Sequence, residues 1–384
     1  MRNSIVLWEK ALLLGAALFC LVLSWEAKAA GGTVLAWGRN DYRQINVPLD
    51  LTNAVAVAGG LQHSLALRAD GTLIAWGYNL DGQTNIPPGL TNISAIAAGL
   101  YHNVVLKSNG AVAAWGFNTY GQTNVPAGLA GVAAIASGAN HCLALKTNGT
   151  VVAWGRNSIG QTQVPAGLTN VMAVTAGGDH SMALKSDGTV TVWGYQAFGQ
   201  TNVPSGLNDV ATIADGTEHS LAVRSNGIVV AWGFNNSGQT NVPIDLTNGL
   251  AVSGGFAHSL ALRKNGTVVG WGLNGHNQTN VLSDLTNVVR IAAGGYHNLV
   301  IMNSSSVIPP PPWFDTSSLG KATNGFKMRV KGLLGRGFVI LQGSSNLVNW
   351  DFVSLRSTAV GDTDFLDSSA TNRARRFYRV SEGR

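Results

Sequence analysis

The sequence predicts an all-β chain built around a seven-bladed β-propeller, and three registers predict it. Trp-Gly recurs at Trp37, Trp76, Trp115, Trp154, Trp193, Trp232 and Trp271, one every 39 residues. His63, His102, His141, His180, His219, His258 and His297 keep the same step. So do Gln44, Gln83, Gln122, Gln161, Gln200, Gln239 and Gln278. Three residue types in phase over seven turns define one repeated supersecondary unit, and a period near 40 with short strands and turn residues suits a propeller blade.

Each element of the unit has a local cause, and the second repeat shows it. Thr72–Trp76 is a strand, Gly77–Gln83 a loop, and 85–87 a short edge strand. After a Pro88-Gly89 turn comes a strand over 94–98, then a loop to His102 and a strand through Leu106. Asn109-Gly110 closes a hairpin into the next repeat, read as a two-residue type I′ turn. Pro48, Pro87, Pro126, Pro165, Pro204 and Pro243 have no N–H to give a ladder, so they mark an outermost fourth strand. The strand before each histidine carries small residues such as Ala58, Ala97 and Ala136, which suits a crowded axis and makes it innermost. Gly60, Gly99 and their equivalents follow, where no side chain fits. The chain begins on a Trp strand and ends its repeats on a His strand. One blade therefore combines both ends, pairing Thr33–Trp37 with the strands near 289–293 and 297–302. Such a clasp removes the open radial edge.

Four segments follow. Residues 1–29 read as a signal peptide: Arg2 and Lys10, an apolar run from Ala11 to Trp25, and Ala27-Lys28-Ala29 as a small-x-small site for cleavage after Ala29. The run is too short to span a bilayer, which needs roughly 20 residues, and no later segment is apolar enough. Residues 30–304 are the propeller. Residues 305–312, ending in four prolines, are an extended linker. Residues 313–384 form a small β-sandwich-like domain, with strands expected near 326–330, 338–342, 351–355 and 377–380.

Composition removes several function classes. Hydrophobic residues are 45% of the chain and charged ones 11%, so it is not disordered. The net charge of +6 is uneven: residues 30–312 hold 11 Lys+Arg against 11 Asp+Glu, and 313–384 hold 11 against 6. A neutral propeller has no basic stripe for phosphate backbones, which argues against nucleic acid. Cleavage removes Cys20 and leaves Cys142 as a small buried residue rather than a reactive thiol.

The segments Gly-Thr-Val-Val-Ala-Trp-Gly-Arg-Asn (149–157) and the Ala-Gly-Gly-x-His-Ser-Leu-Ala-Leu pattern resemble regulator of chromosome condensation repeats. The resemblance covers residues 32–304. Where the family usually has Gly-Gln-Leu-Gly, this chain has Gly-Gln-Thr-Asn-Val-Pro, as at 121–126. That variant is similar to secreted bacterial members, including a propeller that inhibits β-lactamases by protein–protein contact. The segment 344–350 with Arg376-Phe377-Tyr378-Arg379-Val380 resembles a small all-β module at the C-termini of secreted bacterial proteins.

Seven equivalent histidines cannot converge on one ion, so they read as scaffold with ring nitrogens bonded to backbone. The tryptophans read as packed between blades, the glutamines as bonding loop backbone. No nucleophile elbow, Cys-x-x-Cys, His-Glu-x-x-His or phosphate-binding loop occurs, so no metal, cofactor or catalytic residue is assigned. Function is expected where the repeat breaks its pattern: the loop before each histidine and the loop after each Trp-Gly, both on one face. Tyr42, Tyr101, Tyr120, Asp179, Phe198, Glu218, Phe256 and Tyr296 are the candidate partner-binding residues, the aromatics serving as anchors. The chain is thus expected to be a monomeric, secreted or envelope-associated, non-enzymatic propeller recognising a protein or cell-surface glycan. The competing expectation is a glycan-acting hydrolase or lyase using Asp179 and Glu218. Arg373, Arg375, Arg376 and Arg379 are expected to tether the C-terminal module to anionic envelope polymers.

Overall fold

The computed structural model describes residues 31–282 and 285–303 in full and the backbone of six strands within 313–383. The expected signal peptide, the linker, and Arg373, Arg375 and Arg376 lie outside the described residues. The chain divides into two compact units, Met1–Ser306 and Val307–Arg384.

The first unit holds seven antiparallel sheets of three strands each. In the first blade the inner strand is Ala54–Gly59, the middle His63–Arg68 and the outer Leu73–Gly77. The middle strand is buried from His63 to Leu67, because both its faces and both its edges are covered. In every blade the inner strand shifts register against the middle one, as between Ala54 and Ala56, and such bulges add local twist. The inner strands pack blade to blade around the ring, and the last, Val288–Ala293, packs on the first.

The clasp forms as the sequence requires. Thr33–Gly38 is the outer strand of the seventh blade, paired with His297–Met302, with Thr33 opposite Met302 and Gly38 opposite His297. Val288–Ala293 is the inner strand of that blade.

Two expectations need correction. The blades have three strands, not four. The Asn-Val-Pro stretch makes local turns instead of a ladder: Asn124 N donates to the Gly121 carbonyl and Val125 N to that of Thr123, after which Pro126 has no donor. The hairpins are not two-residue type I′ turns either. Gly71 N donates to the Arg68 carbonyl and Arg68 N to that of Thr72, and of Asp70 and Gly71 only the glycine has positive φ, at 84°. That is a three-residue loop with a bulge glycine, and Asp70 Oδ1 accepts from Thr72 N instead of entering the left-handed region.

In the second unit the six strands form two antiparallel sheets. One runs in the order 313–322, 325–334, 360–367, the other 351–357, 338–344, 377–383. The four strands expected from alternation are present. Trp313–Ala322 and Val360–Asp367 were not foreseen; Gly, Ser, Asp and Thr break their apolar pattern.

Candidate functional site

The scaffold residues explain why one face is free to vary. In the first blade Gln44 Oε1 accepts from Tyr42 N at 2.9 Å, which folds the loop after Trp-Gly. The Gln44 carbonyl then accepts from Trp76 Nε1 and from Ser64 Oγ, each at 2.8 Å. Ser64 Oγ in turn meets His297 Nε2 of the preceding blade at 2.9 Å. Every junction repeats this link. His63 meets Asn103, His102 meets Cys142 and Ser137, His141 meets Ser181, His219 meets Ser259 and His258 meets Asn298. At the remaining junction His180 Nε2 lies 3.0 Å from both Asp215 Oδ1 and Ser220 Oγ. The histidines are therefore structural, but they bond to side chains of the next blade and not to backbone as expected.

Chemistry fixes the tautomer. Ser Oγ gives its proton to the glutamine carbonyl and Asn Oδ1 has none, so His Nε2 is the donor at these junctions. Nδ1 rests against the preceding glycine with no partner in any of the seven. A Cβ at Gly60 would strike the His63 ring and the Gly99 carbonyl, so the glycine is needed for space and not for φ. Burial therefore lowers the histidines from 6.5 to about 4 for His63 and His258 and about 3 for His102, His141, His219 and His297. Cys142 is fully buried, and burial pushes its thiol up, which makes it inert.

Seven backbone hydrogen bonds close a second belt around the axis. Leu61 N donates to Leu100 O, Leu100 N to Ala139 O, Ala139 N to Gly178 O and Gly178 N to Thr217 O. Thr217 N to Gly255 O, Phe256 N to Gly295 O and Gly295 N to Gly60 O complete it. This belt walls an axial cavity of about 240 Å³.

The two variable loop sets do share a face, because His63 pairs with Gly77 and Tyr78 N donates to the Gln62 carbonyl at 2.9 Å. The candidate aromatics gather there in four groups. Tyr42 and Tyr101 join through Tyr78, with ring centroids at 5.0 and 5.5 Å. Tyr120 meets Phe117 at 6.2 Å and carries the Arg156 guanidinium 5.3 Å above its ring. Phe198 sits between Tyr195 at 5.6 Å and Phe234 at 4.6 Å. Phe256 stacks on Tyr296 at 5.1 Å, with His276 at 5.5 Å and Arg39 over the ring at 5.6 Å. Tyr120 is 47% exposed and Tyr42, Phe198 and Phe256 each 39%, although aromatic side chains of this size are usually covered. Tyr78, Phe117, Tyr195 and Phe234 are the residues that sequence reasoning missed. All directly follow Trp-Gly, where Arg39, Arg156 and Leu273 complete the series, so a large side chain in every repeat was the available signal.

Asp179 and Glu218 stand on successive inner loops of this face. Asp179 Oδ1 accepts from Gln161 Nε2 at 2.8 Å and lies 3.5 Å from Arg156. Among the described residues the Glu218 carboxylate has no hydrogen bond or ion pair, and burial, then Asp179, holds it above the usual range. Asp215, His180 and Ser220 also meet, but Asp215 and His180 have fully buried side chains and both contacts converge on one imidazole nitrogen, which is no nucleophile relay. Among the described residues no group of three or more His, Cys, Asp or Glu forms a metal centre, and no helix is long and apolar enough to cross a membrane.

Fold and loop geometry together define a repeat propeller with a variable face. The family model for the regulator of chromosome condensation (RCC1) repeat matches residues 54–83, 93–122, 132–161, 172–200, 210–239 and 250–278. The propeller belongs to that family. Each match runs from an inner strand to the loop glutamine, so the six contiguous blades match and the clasped blade, split between the two ends of the propeller, does not. Among solved structures, Prp20p from Saccharomyces cerevisiae is similar at 19% identity and a TM-score of 0.61, over 75% of this chain and 94% of that one. Human WBSCR16 is similar at 18% identity and 0.59, over 71% and 99%. The ectodomain of the Physcomitrella patens receptor kinase CR4 is similar at 23% identity and 0.53, over 64% and 71%. No curated protein sequence gives a significant match.

Proposed function

We propose that this chain is a secreted, non-enzymatic binding propeller that takes a protein partner on the face of its variable loops. Carrying this reading is the gathering of eleven aromatic and imidazole rings into four exposed groups on one face. Aromatic clusters held on a rigid frame lose little entropy on binding and supply anchors. Prp20p, of the same fold, binds Gsp1p and histones, which agrees with a propeller acting as a docking platform. The signal-peptide pattern of residues 1–29 supports an extracellular or envelope location.

The test is capture from the native culture medium with the full chain as bait. Tyr101→Ala, Tyr120→Ala, Phe198→Ala, Phe256→Ala and Tyr296→Ala together remove about 1–3 kcal/mol each, and capture is lost. Unchanged capture by this variant defeats the reading. A second reading, glycan hydrolysis or lysis, is favoured by the raised Glu218 carboxyl beside Asp179. It requires turnover on a polysaccharide panel that disappears in Glu218→Gln; no turnover rejects it.

A further inference from the structure

The variable face has an axial mouth, and its two halves differ in chemistry. Leu61, Leu100, Ala139 and Phe256 line the apolar side of the cavity, and the rest of its lining is mostly glycine and alanine, with Val57, Ser137, Thr175, Asp215, Thr217 and Ser253 among them. Asp179 and Glu218 flank the other side, next in sequence to the lining residues Gly178 and Thr217. Two cations of this face are already engaged, Arg39 by Asp41 at 2.6 Å and by the Tyr296 ring, Arg156 by Asp179 and the Tyr120 ring, while Arg43 stands exposed on the loop after Trp37. Glu218 is left as a half-buried carboxylate that forms no ion pair among the described residues. The belt amides around the mouth bond to one another, and of the polar side chains in the lining Ser137 meets His102, Ser253 accepts from Ala293 N and Asp215 meets His180, which leaves Thr175, Thr217 and Asp215 Oδ2 for the hydroxyls of a sugar.

Resting on the docking face argued above, we propose that the occupant is a protein loop carrying a lysine or arginine beside an apolar residue. The cation meets Asp179 and Glu218, and the apolar side chain enters the mouth against Leu61, Leu100 and Phe256. Charge complementarity selects this class: an acidic loop would bring like charge onto two carboxylates, and an uncharged one would desolvate Glu218 without a partner.

A phage library of disulfide-closed random loops, selected on the full chain, tests it. Selected loops carry Lys or Arg next to an aliphatic or aromatic residue. Their affinity falls tenfold or more in the Asp179→Asn/Glu218→Gln variant and falls as NaCl rises from about 0.05 M to about 0.5 M, where screening shortens the reach of charge. Both substitutions keep the side-chain shape and the Gln161 contact, and thermal melting confirms the fold. Enrichment of acidic or uncharged loops, or indifference to the charge variant, overturns the cationic occupant; the docking face survives if the five-aromatic variant abolishes that binding. Binding that persists in the five-aromatic variant overturns the docking face itself. Failure to enrich any loop overturns the mouth as a protein-docking site.

Discussion

Acid should unfold this propeller steeply, because its scaffold depends on neutral imidazoles. Six of the junction histidines fall from 6.5 to about 3 or 4 on burial. Between those values the unfolded chain binds protons that the folded chain refuses. Stability is therefore full above pH 6.5 and is lost as pH falls toward 4. At pH 5.5 each histidine favours the unfolded state by about 1.4 kcal/mol, one pH unit below its free value. Six of them remove about 8 kcal/mol, comparable with the about 5–15 kcal/mol that a folded domain has in total. Urea titrations of the full chain, followed by Trp emission at pH 7.5, 6.5, 5.5 and 5.0, measure this directly. The slope of stability against pH should approach the uptake of about six protons. An uptake of fewer than two protons between pH 6.5 and 5 would refute the reasoning, since it would mean the rings are already charged when folded or remain open to water.

Other perturbations separate scaffold from surface. Cys142→Ser copies Ser181 of the next blade and keeps the bridge from His102 to the Gln122 carbonyl, so thermal melting should move by less than about 1 kcal/mol; the native thiol should resist alkylation until urea unfolds the chain. Trp154→Phe removes the 3.0 Å bond from Nε1 to the Gln122 carbonyl and leaves that buried acceptor with only the weak Cys142 donor, a loss of about 1–3 kcal/mol seen in the urea midpoint. Asp215→Ser places the residue type of Ser137, its equivalent in the third blade, at this position. It removes a buried carboxylate whose Oδ2 has no partner and should leave melting unchanged or raise it. Tyr78→Ala with Phe234→Ala should lower partner affinity with little effect on melting, because both rings pack against loop aromatics and not in the core.

Periodicity made the scaffold legible down to the clasp. Trp37, His297 and Gln278 keep the register although the chain between them wraps the whole disc, and the first described strand pairs where that register demands. The innermost strand was readable because one of its positions is Ala, Thr or Ser in all seven repeats, from Ala58 to Ala292. The partner of each histidine was not readable. It stands 40 residues away, one past the next repeat's histidine, and varies among Ser, Asn and Cys. The fourth strand was over-read because a proline at a strand edge and a proline in a turn look alike until the neighbouring amides are located. On the candidate face, the anchors that interrupt the repeat were visible, whereas Tyr78, Phe117, Tyr195 and Phe234 lay at a position where a large residue recurs. Recurrence hid them among the scaffold, although their side chains project toward the loops.

Hydrogen exchange on the full chain, with and without its captured partner, tests the division of labour most directly. Protection should appear in the loops at 39–45, 78–84, 100–101, 117–123, 156–162, 178–179, 195–201 and 217–218 and at 256–257 and 295–296. The hairpins at 69–71, 108–110, 147–149 and 186–188, on the opposite rim, should exchange as before. Protection confined to those hairpins, or shared equally by both rims, would contradict the assignment of recognition to the loops that break the repeat.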